Sequence, residues 1–316
     1  ASSFASPLLG QPAAYETVFN RFAWPDMTRF NIAQACCDVH ADVTPDRPAI
    51  LEVATDFTVS VLTFGEMRRA ADRLAHAFLK AGIRKGDRVA ILLPQGRYVP
   101  ITHMAIYKIG AIALPLAALF GADALAYRLS DSGARLVVTD ATGAAKLKPL
   151  RGGAPGLEQV VSIDGDGDGA VALARFIEGM PERFETRESH GDDPALMIYT
   201  SGTTGQPKGA LHAQRVLVGH LPGVEMSHDF LPQPDDLLWT PADWAWAGGL
   251  LNILLPGLYF GVPVAAWPFQ KFDTEASFAM MSRIGVRNAF IPPTGLRLMR
   301  AVENPVKRFG MPLRSL

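Results

Sequence analysis

The chain has 316 residues, 48% of them apolar and 19% charged, which excludes a disordered or coiled-coil protein. Its 30 Lys and Arg nearly balance 31 Asp and Glu, so a net charge of −1 supplies no general pull toward nucleic acid or an anionic membrane. The length fits about two domains with a core that requires no disulfide or metal staple. The two cysteines, Cys36 and Cys37, are neighbours, which rarely bond to each other; reduced thiols and a cytoplasmic location are expected.

In chain order, Ala1 to Ala5 lacks the basic and apolar regions of a signal peptide. Ala49–Val53 reads as a strand. Phe64, Met67, Ala71, Leu74, Ala75 and Phe78 then recur at helical spacing, with Thr63 and Glu66 as a capping box and Gly82 closing the helix. Arg88–Leu93 is a continuous apolar run ended by Pro94, the pattern of a strand covered on both faces. A helix at Tyr98–Ile109, a strand at Ile112–Leu114, a helix at Ala122–Leu129 and strands at Arg135–Thr139 and Val160–Ile163 follow. This alternation predicts an α/β fold with mixed, largely parallel sheets flanked by helices. Asp164 to Gly169 begins like an EF-hand loop, but Arg175 stands where a bidentate Glu is needed, so a solvated loop is expected.

Asp192-Asp-Pro194 places a boundary near residue 190, giving subdomains 1–190 and 191–316. Beyond it come strands at Ala195–Tyr199, Leu237–Trp239, Val262–Ala265 and Asn288–Ile291, and helices at Gln214–Met226, Thr274–Ile284 and Thr294–Val302. The apolar stretch from Leu250 to Phe269 is nearly long enough to span a bilayer. Pro256, Gly257, Gly261, Pro263 and Pro268 interrupt it, so a helix, a turn and a short buried strand are expected, with no transmembrane segment.

One segment carries chemistry: Ile198-Tyr-Thr-Ser-Gly-Thr-Thr-Gly-Gln-Pro-Lys-Gly209, read as following a buried strand and preceding a helix. Thr200, Ser201, Thr203 and Thr204 cluster four hydroxyls, and Gly202, Gly205 and Gly209 let the backbone approach a ligand. N–H groups in such a turn form a nest for anions, and Lys208 adds a mobile positive charge. The spacing fails the Walker A pattern, since Pro207 stands where the second Gly belongs and Gly209 follows the Lys. A polyphosphate-binding loop other than a P-loop is the expectation.

This segment resembles the signature loop of the AMP-forming adenylate synthetases, a family that includes acyl-CoA synthetases, luciferases and peptide-synthetase adenylation domains. The resemblance extends through Leu62-Thr-Phe-Gly-Glu66, Gly86-Asp-Arg-Val-Ala90 and Lys108-Ile-Gly-Ala-Ile112. Thr240-Pro-Ala-Asp-Trp-Ala-Trp-Ala-Gly-Gly249, Lys271-Phe-Asp273 and Phe30-Asn-Ile-Ala33 resemble segments of the acetyl- and medium-chain acyl-CoA synthetase branch, with departures at Trp244 and Ala245.

The resemblance implies the large N-terminal domain of the acyl-adenylate-forming fold, incomplete at its C-terminus and without the C-terminal lid domain. It implies a ligase of fatty acid metabolism that converts a small carboxylic acid, ATP and CoA, with Mg2+, into acyl-CoA, AMP and pyrophosphate. Thr200, Ser201, Gly202, Thr203, Thr204, Gly205 and Lys208 would hold the nucleotide, with Thr204 and Lys208 acting in catalysis. Trp246, Ala247 and Gly248 would form one wall of the acyl pocket, and the small residues at 247 and 248 suggest an acid larger than acetate. Two alternatives stay open: an adenylating domain that loads a carrier protein, and a non-catalytic nucleotide-binding fragment. The chain alone is expected not to complete adenylation.

Overall fold

Twelve strands among the described residues form two sheets. The computed structural model of the chain describes residues 5–200, 205–269 and 271–316. The strands are β1 (Pro48–Val53), β2 (Val59–Thr63), β3 (Arg88–Leu92), β4 (Ile112–Pro115), β5 (Leu136–Thr139) and β6 (Gln159–Ser162). They continue as β7 (Val171–Ala172), β8 (Pro194–Thr200), β9 (Lys208–Ala213), β10 (Leu238–Trp239), β11 (Val264–Ala266) and β12 (Asn288–Ala289). A seven-stranded sheet runs β7-β6-β5-β3-β4-β8-β9 and a five-stranded sheet runs β12-β10-β11-β1-β2. Each is parallel except at one edge, where β9 and β2 run antiparallel to their neighbours.

The buried character expected of the central strands holds: β4 and β5 are buried along their whole length, and β3 at all but Arg88. The helix Phe64–Lys80 starts on the expected capping box. Thr63 N–H donates to Glu66 Oε2 at 2.9 Å, and Glu66 N–H donates back to Thr63 Oγ1 at 3.3 Å. Such a cap contributes about 1 kcal/mol. Its buried face is the expected apolar stripe plus one charged residue, Asp72. The stretch from Leu250 onward folds as expected: a helical run ends at Phe260, Gly261 turns the chain in the left-handed region at φ 66°, and β11 follows. No helix among the described residues is long and apolar enough to cross a membrane.

The phosphate-loop segment departs from expectation. It is followed by β9, which pairs with β8 as a hairpin, and only then by the helix Val216–Ser227. Position 190 is not a division between sheets. β8 and β9 complete the sheet built by β3 to β7, and β1 and β2 join β10 to β12. One apolar cluster takes Val89, Ile91 and Leu196 from the first sheet and Ile50, Leu238 and Val264 from the second. The two sheets therefore share a core.

Candidate functional site

In a parallel sheet every strand points its carboxyl end the same way, and ligands bind in the crevices beyond those ends. Here the segments that leave β3, β4, β8, β10, β11 and β12 carry the residues of interest. β8 ends at Thr200, where the Gly-rich segment begins. The hairpin register sets Thr200 opposite Lys208 and Tyr199 opposite Gly209. Lys208 is exposed, and its ammonium has no partner among the described residues. Gly205 has φ 99°, which favours glycine, and nothing lies within 4 Å of where its Cβ would be. Ser201, Gly202, Thr203 and Thr204 lie outside the described residues.

The loop's far end is tied down. Tyr127 Oη donates to the Pro207 carbonyl at 2.9 Å. Next to it, Tyr199 Oη donates to Asp131 Oδ2 at 2.6 Å, and burial together with that carboxylate pushes the Tyr199 hydroxyl well above its ordinary pKa. The Arg128 guanidinium stacks over Phe120 at 4.2 Å and faces Tyr199 at 5.5 Å. Phe120 in turn meets Trp246 edge to face, with centroids 5.7 Å apart. Pro115, Ala117, Phe120, Tyr199, Ala245 and Trp246 line a narrow cleft at the end of β8.

Of the expected wall residues, Trp246 reaches this cleft, with 45% of its surface exposed. Ala247 is exposed and Gly248 half-buried at the start of the next helix. Trp244 is a core residue, 1% exposed, and its indole N–H finds no partner among the described residues. Asp243 shapes the segment. Its Oδ1 accepts from Ala245 N–H at 2.9 Å and its carbonyl from Trp246 N–H at 3.1 Å, while burial raises its carboxyl pKa. Gly249 is required here, because a Cβ would sit 2.6 Å from the Asp243 carbonyl.

The sequence reading missed Gln95. It is buried just after β3, and its Nε2 donates to the carbonyls of Thr240 at 3.0 Å and Ala242 at 2.8 Å. Its Oε1 accepts from Trp267 N–H at 3.3 Å. One amide thus joins segments that leave three strands in two sheets. The available signal was a polar residue directly after Pro94 at the end of a fully apolar strand.

His212 lies on β9 opposite Leu196, and burial lowers its pKa. The acids of the EF-hand-like loop have local partners. Asp164 accepts from Ala141 N–H, Asp166 pairs with Arg175, and Asp168 pairs with Lys148.

The donor chemistry fits a polyphosphate: an ammonium without a partner among the described residues stands opposite a threonine across a Gly-rich turn. Among the described residues no three His, Cys, Asp or Glu side chains come together to hold a metal.

Residues 37–316 match the family described as AMP-binding enzyme. An acetyl-coenzyme A synthetase of Chromobacterium violaceum is 30% identical over 303 residues, covering 87% of this chain and 45% of the relative. Acetyl-coenzyme A synthetase 2 of Candida glabrata is 29% identical over 320 residues, covering 92% of this chain and 45% of the relative. The chain thus spans about half the length of the curated relatives it matches. The crystal structure of a Brucella canis acyl-CoA synthetase superposes with a TM-score of 0.82 at 29% identity, over 93% of this chain and 55% of that one. An anthranilate CoA ligase at 22% identity and TM-score 0.78 shares the fold.

Proposed function

The chain belongs to the AMP-binding enzyme family, and on that premise we propose that it carries the nucleotide loop of an AMP-forming acyl-CoA synthetase. In the first half-reaction a carboxylate oxygen attacks the α-phosphorus of ATP. Pyrophosphate leaves with the electrons of the broken P–O bond, and an acyl-adenylate forms. In the second, the CoA thiol attacks the acyl carbon, loses its proton and expels AMP. The names of the relatives favour CoA as the thiol donor over a carrier protein. A cytoplasmic location belongs to this reading, in which Cys36 and Cys37 stay free, buried thiols.

The observation that supports this most is the β8–β9 register, which sets Lys208, without a partner among the described residues, across from Thr200 beside a narrow cleft. Negative charge grows on the departing pyrophosphate. An ammonium and hydroxyls that reach those oxygens stabilise the transition state more than the ground state. Lys208 and the hydroxyls of Thr200, Ser201, Thr203 and Thr204 are assigned that role, with Gly202 and Gly205 shaping the turn. Trp246 is assigned to the acid's apolar tail.

Exchange of labelled pyrophosphate into ATP, measured over a panel of carboxylic acids in protein carrying this chain, tests the assignment. Lys208→Ala and Thr204→Ala should each slow exchange about 100-fold, the scale of losing one such donor. Exchange at the unmodified rate in both variants would sink it.

A further inference from the structure

We infer that Tyr127 is a positioning residue for Lys208, its hydroxyl holding, through the Pro207 carbonyl, the backbone that carries the ammonium; this rests on the adenylation reading above. Lys208 is the first residue of β9, and its pairing with Thr200 is the last that joins β9 to β8. β9 is the outer strand of its sheet. An outer strand has a neighbour on one side only, and its end is the first part to open. Pro207, just before it, has no N–H, so its carbonyl is the one backbone hydrogen-bonding group it offers. Tyr127 Oη donates to that carbonyl at 2.9 Å.

The grip comes from the core. Tyr127 sits on the helix Ala122–Ser132, whose Leu125 and Leu129 are buried in one apolar cluster with Leu92 and Val137. Asp131, four residues on, shares the helix face of Tyr127 and accepts from Tyr199 Oη at 2.6 Å. One helix face thus holds both arms of the hairpin, β8 at Tyr199 and the approach to β9 at Pro207. The two tyrosines meet edge to face, with centroids 6.2 Å apart. On the other side of Lys208, the Tyr199 ring closes over Gly209, where a Cβ would lie 3.1 Å from Tyr199 Cζ. Lys208 therefore stands between two residues that are each held by a tyrosine. Side chains alternate along a strand, so Thr200 and Lys208 turn to the face opposite Tyr199 and Gly209. Tyr127 acts on the ammonium through the main chain, with its own hydroxyl engaged by Pro207.

Tyr127→Phe keeps the ring and removes the hydroxyl, so thermal melting should show the chain folded. Hydrogen exchange of the Lys208 and Gly209 amides, followed by mass spectrometry, should quicken about fivefold, the scale of losing one neutral hydrogen bond. In protein carrying this chain, pyrophosphate exchange at saturating ATP should slow about tenfold with the KM for ATP unchanged, because the loss falls on the transition state. Adding Tyr127→Phe to Lys208→Ala should slow exchange no further, since the group to be positioned is gone. Equal slowing by Tyr127→Phe with and without Lys208 overturns the inference and leaves the adenylation reading standing. So does unchanged exchange of both kinds in Tyr127→Phe, or loss of its folded state. Full pyrophosphate exchange in Lys208→Ala overturns the reading, and quickened hydrogen exchange then marks Tyr127 as a strand anchor alone.

Discussion

Two lysines that occupy recognisable motifs, Lys108 and Lys208, meet opposite fates. Lys108 ends the helix Tyr98–Lys108 with its side chain fully buried. It forms an ion pair with Asp38, lies 2.8 Å from Asp72 Oδ1, and donates to Thr186 Oγ1 at 3.2 Å. Asp72 Oδ1 is held by charge alone, since the contact lacks hydrogen-bond geometry. Lys208 opens an edge strand, exposed and without a partner among the described residues. Residue type and charge are the same; solvation differs. A buried ammonium is committed to the fold because its carboxylates cannot be left alone in a low-dielectric core. An exposed one keeps its charge free for a ligand.

The largest expected effect lies at the buried site. Burial pulls the Lys108 pKa down, but Asp38, Cys37 and Asp72 outweigh it and hold the ammonium above its ordinary value. Lys108→Met should cost about 3–5 kcal/mol in urea denaturation, because two carboxylates lose their counter-ion. Adding Asp38→Asn and Asp72→Asn should restore much of that. A loss below about 1 kcal/mol for Lys108→Met would erase the contrast between the lysines.

Much of this contrast was hidden from a linear reading. The helix Phe64–Lys80 was legible because its period and cap are local, and β3 to β5 because unbroken apolar runs mark strands covered on both faces. β9 was not. Lys-Gly-Ala-Leu-His-Ala has weak alternation and half-exposed faces, and it becomes a strand only by pairing with β8. The boundary expected at 190 followed from local punctuation, whereas sheet membership depends on partners more than a hundred residues away, such as Ile50 with Val264. The Gly-rich segment and Trp246 could be singled out in the sequence by residue type alone. Gln95 could not, because its bonds form only where segments from distant strands meet.

The buried region should also carry the next largest effect, a pH dependence. His103 lies on the same helix as Lys108 and is fully buried. Its Nδ1 is 3.0 Å from Tyr107 Oη, and its Nε2 has no partner among the described residues. Burial holds its pKa down at about 3, against about 6.5 in an unfolded chain. The unfolded state therefore takes up a proton first as pH falls. Stability is unaffected above about pH 6.5 and declines between there and about pH 3, by up to about 1.4 kcal/mol per pH unit. Urea denaturation at pH 7 and pH 5 should show a loss of about 2 kcal/mol from this residue, and His103→Leu should remove that share. His228, held at about 4 by burial and Arg314, should leave a residual slope. An identical slope in His103→Leu would mean that the imidazole is not sealed in the core.

The smallest expected change in stability is the most discriminating. Lys208→Ala removes no described contact, so its denaturation midpoint should move by no more than about 0.5 kcal/mol, as for an ordinary surface position. Against this stands the loss of exchange expected of the same variant. A group that acts on ligand alone shows a large functional loss with an unchanged fold, while a structural group shows the reverse, as Lys108 should. One complication is physical. β9 is the outer strand of its sheet, and an edge lysine discourages pairing with another chain. Lys208→Gln controls for it by keeping a polar edge while removing the charge. If Lys208→Gln retains exchange while Lys208→Ala loses it, the lysine guards an edge and the phosphate role fails. If both lose exchange and both keep their stability, the free charge belongs to the ligand.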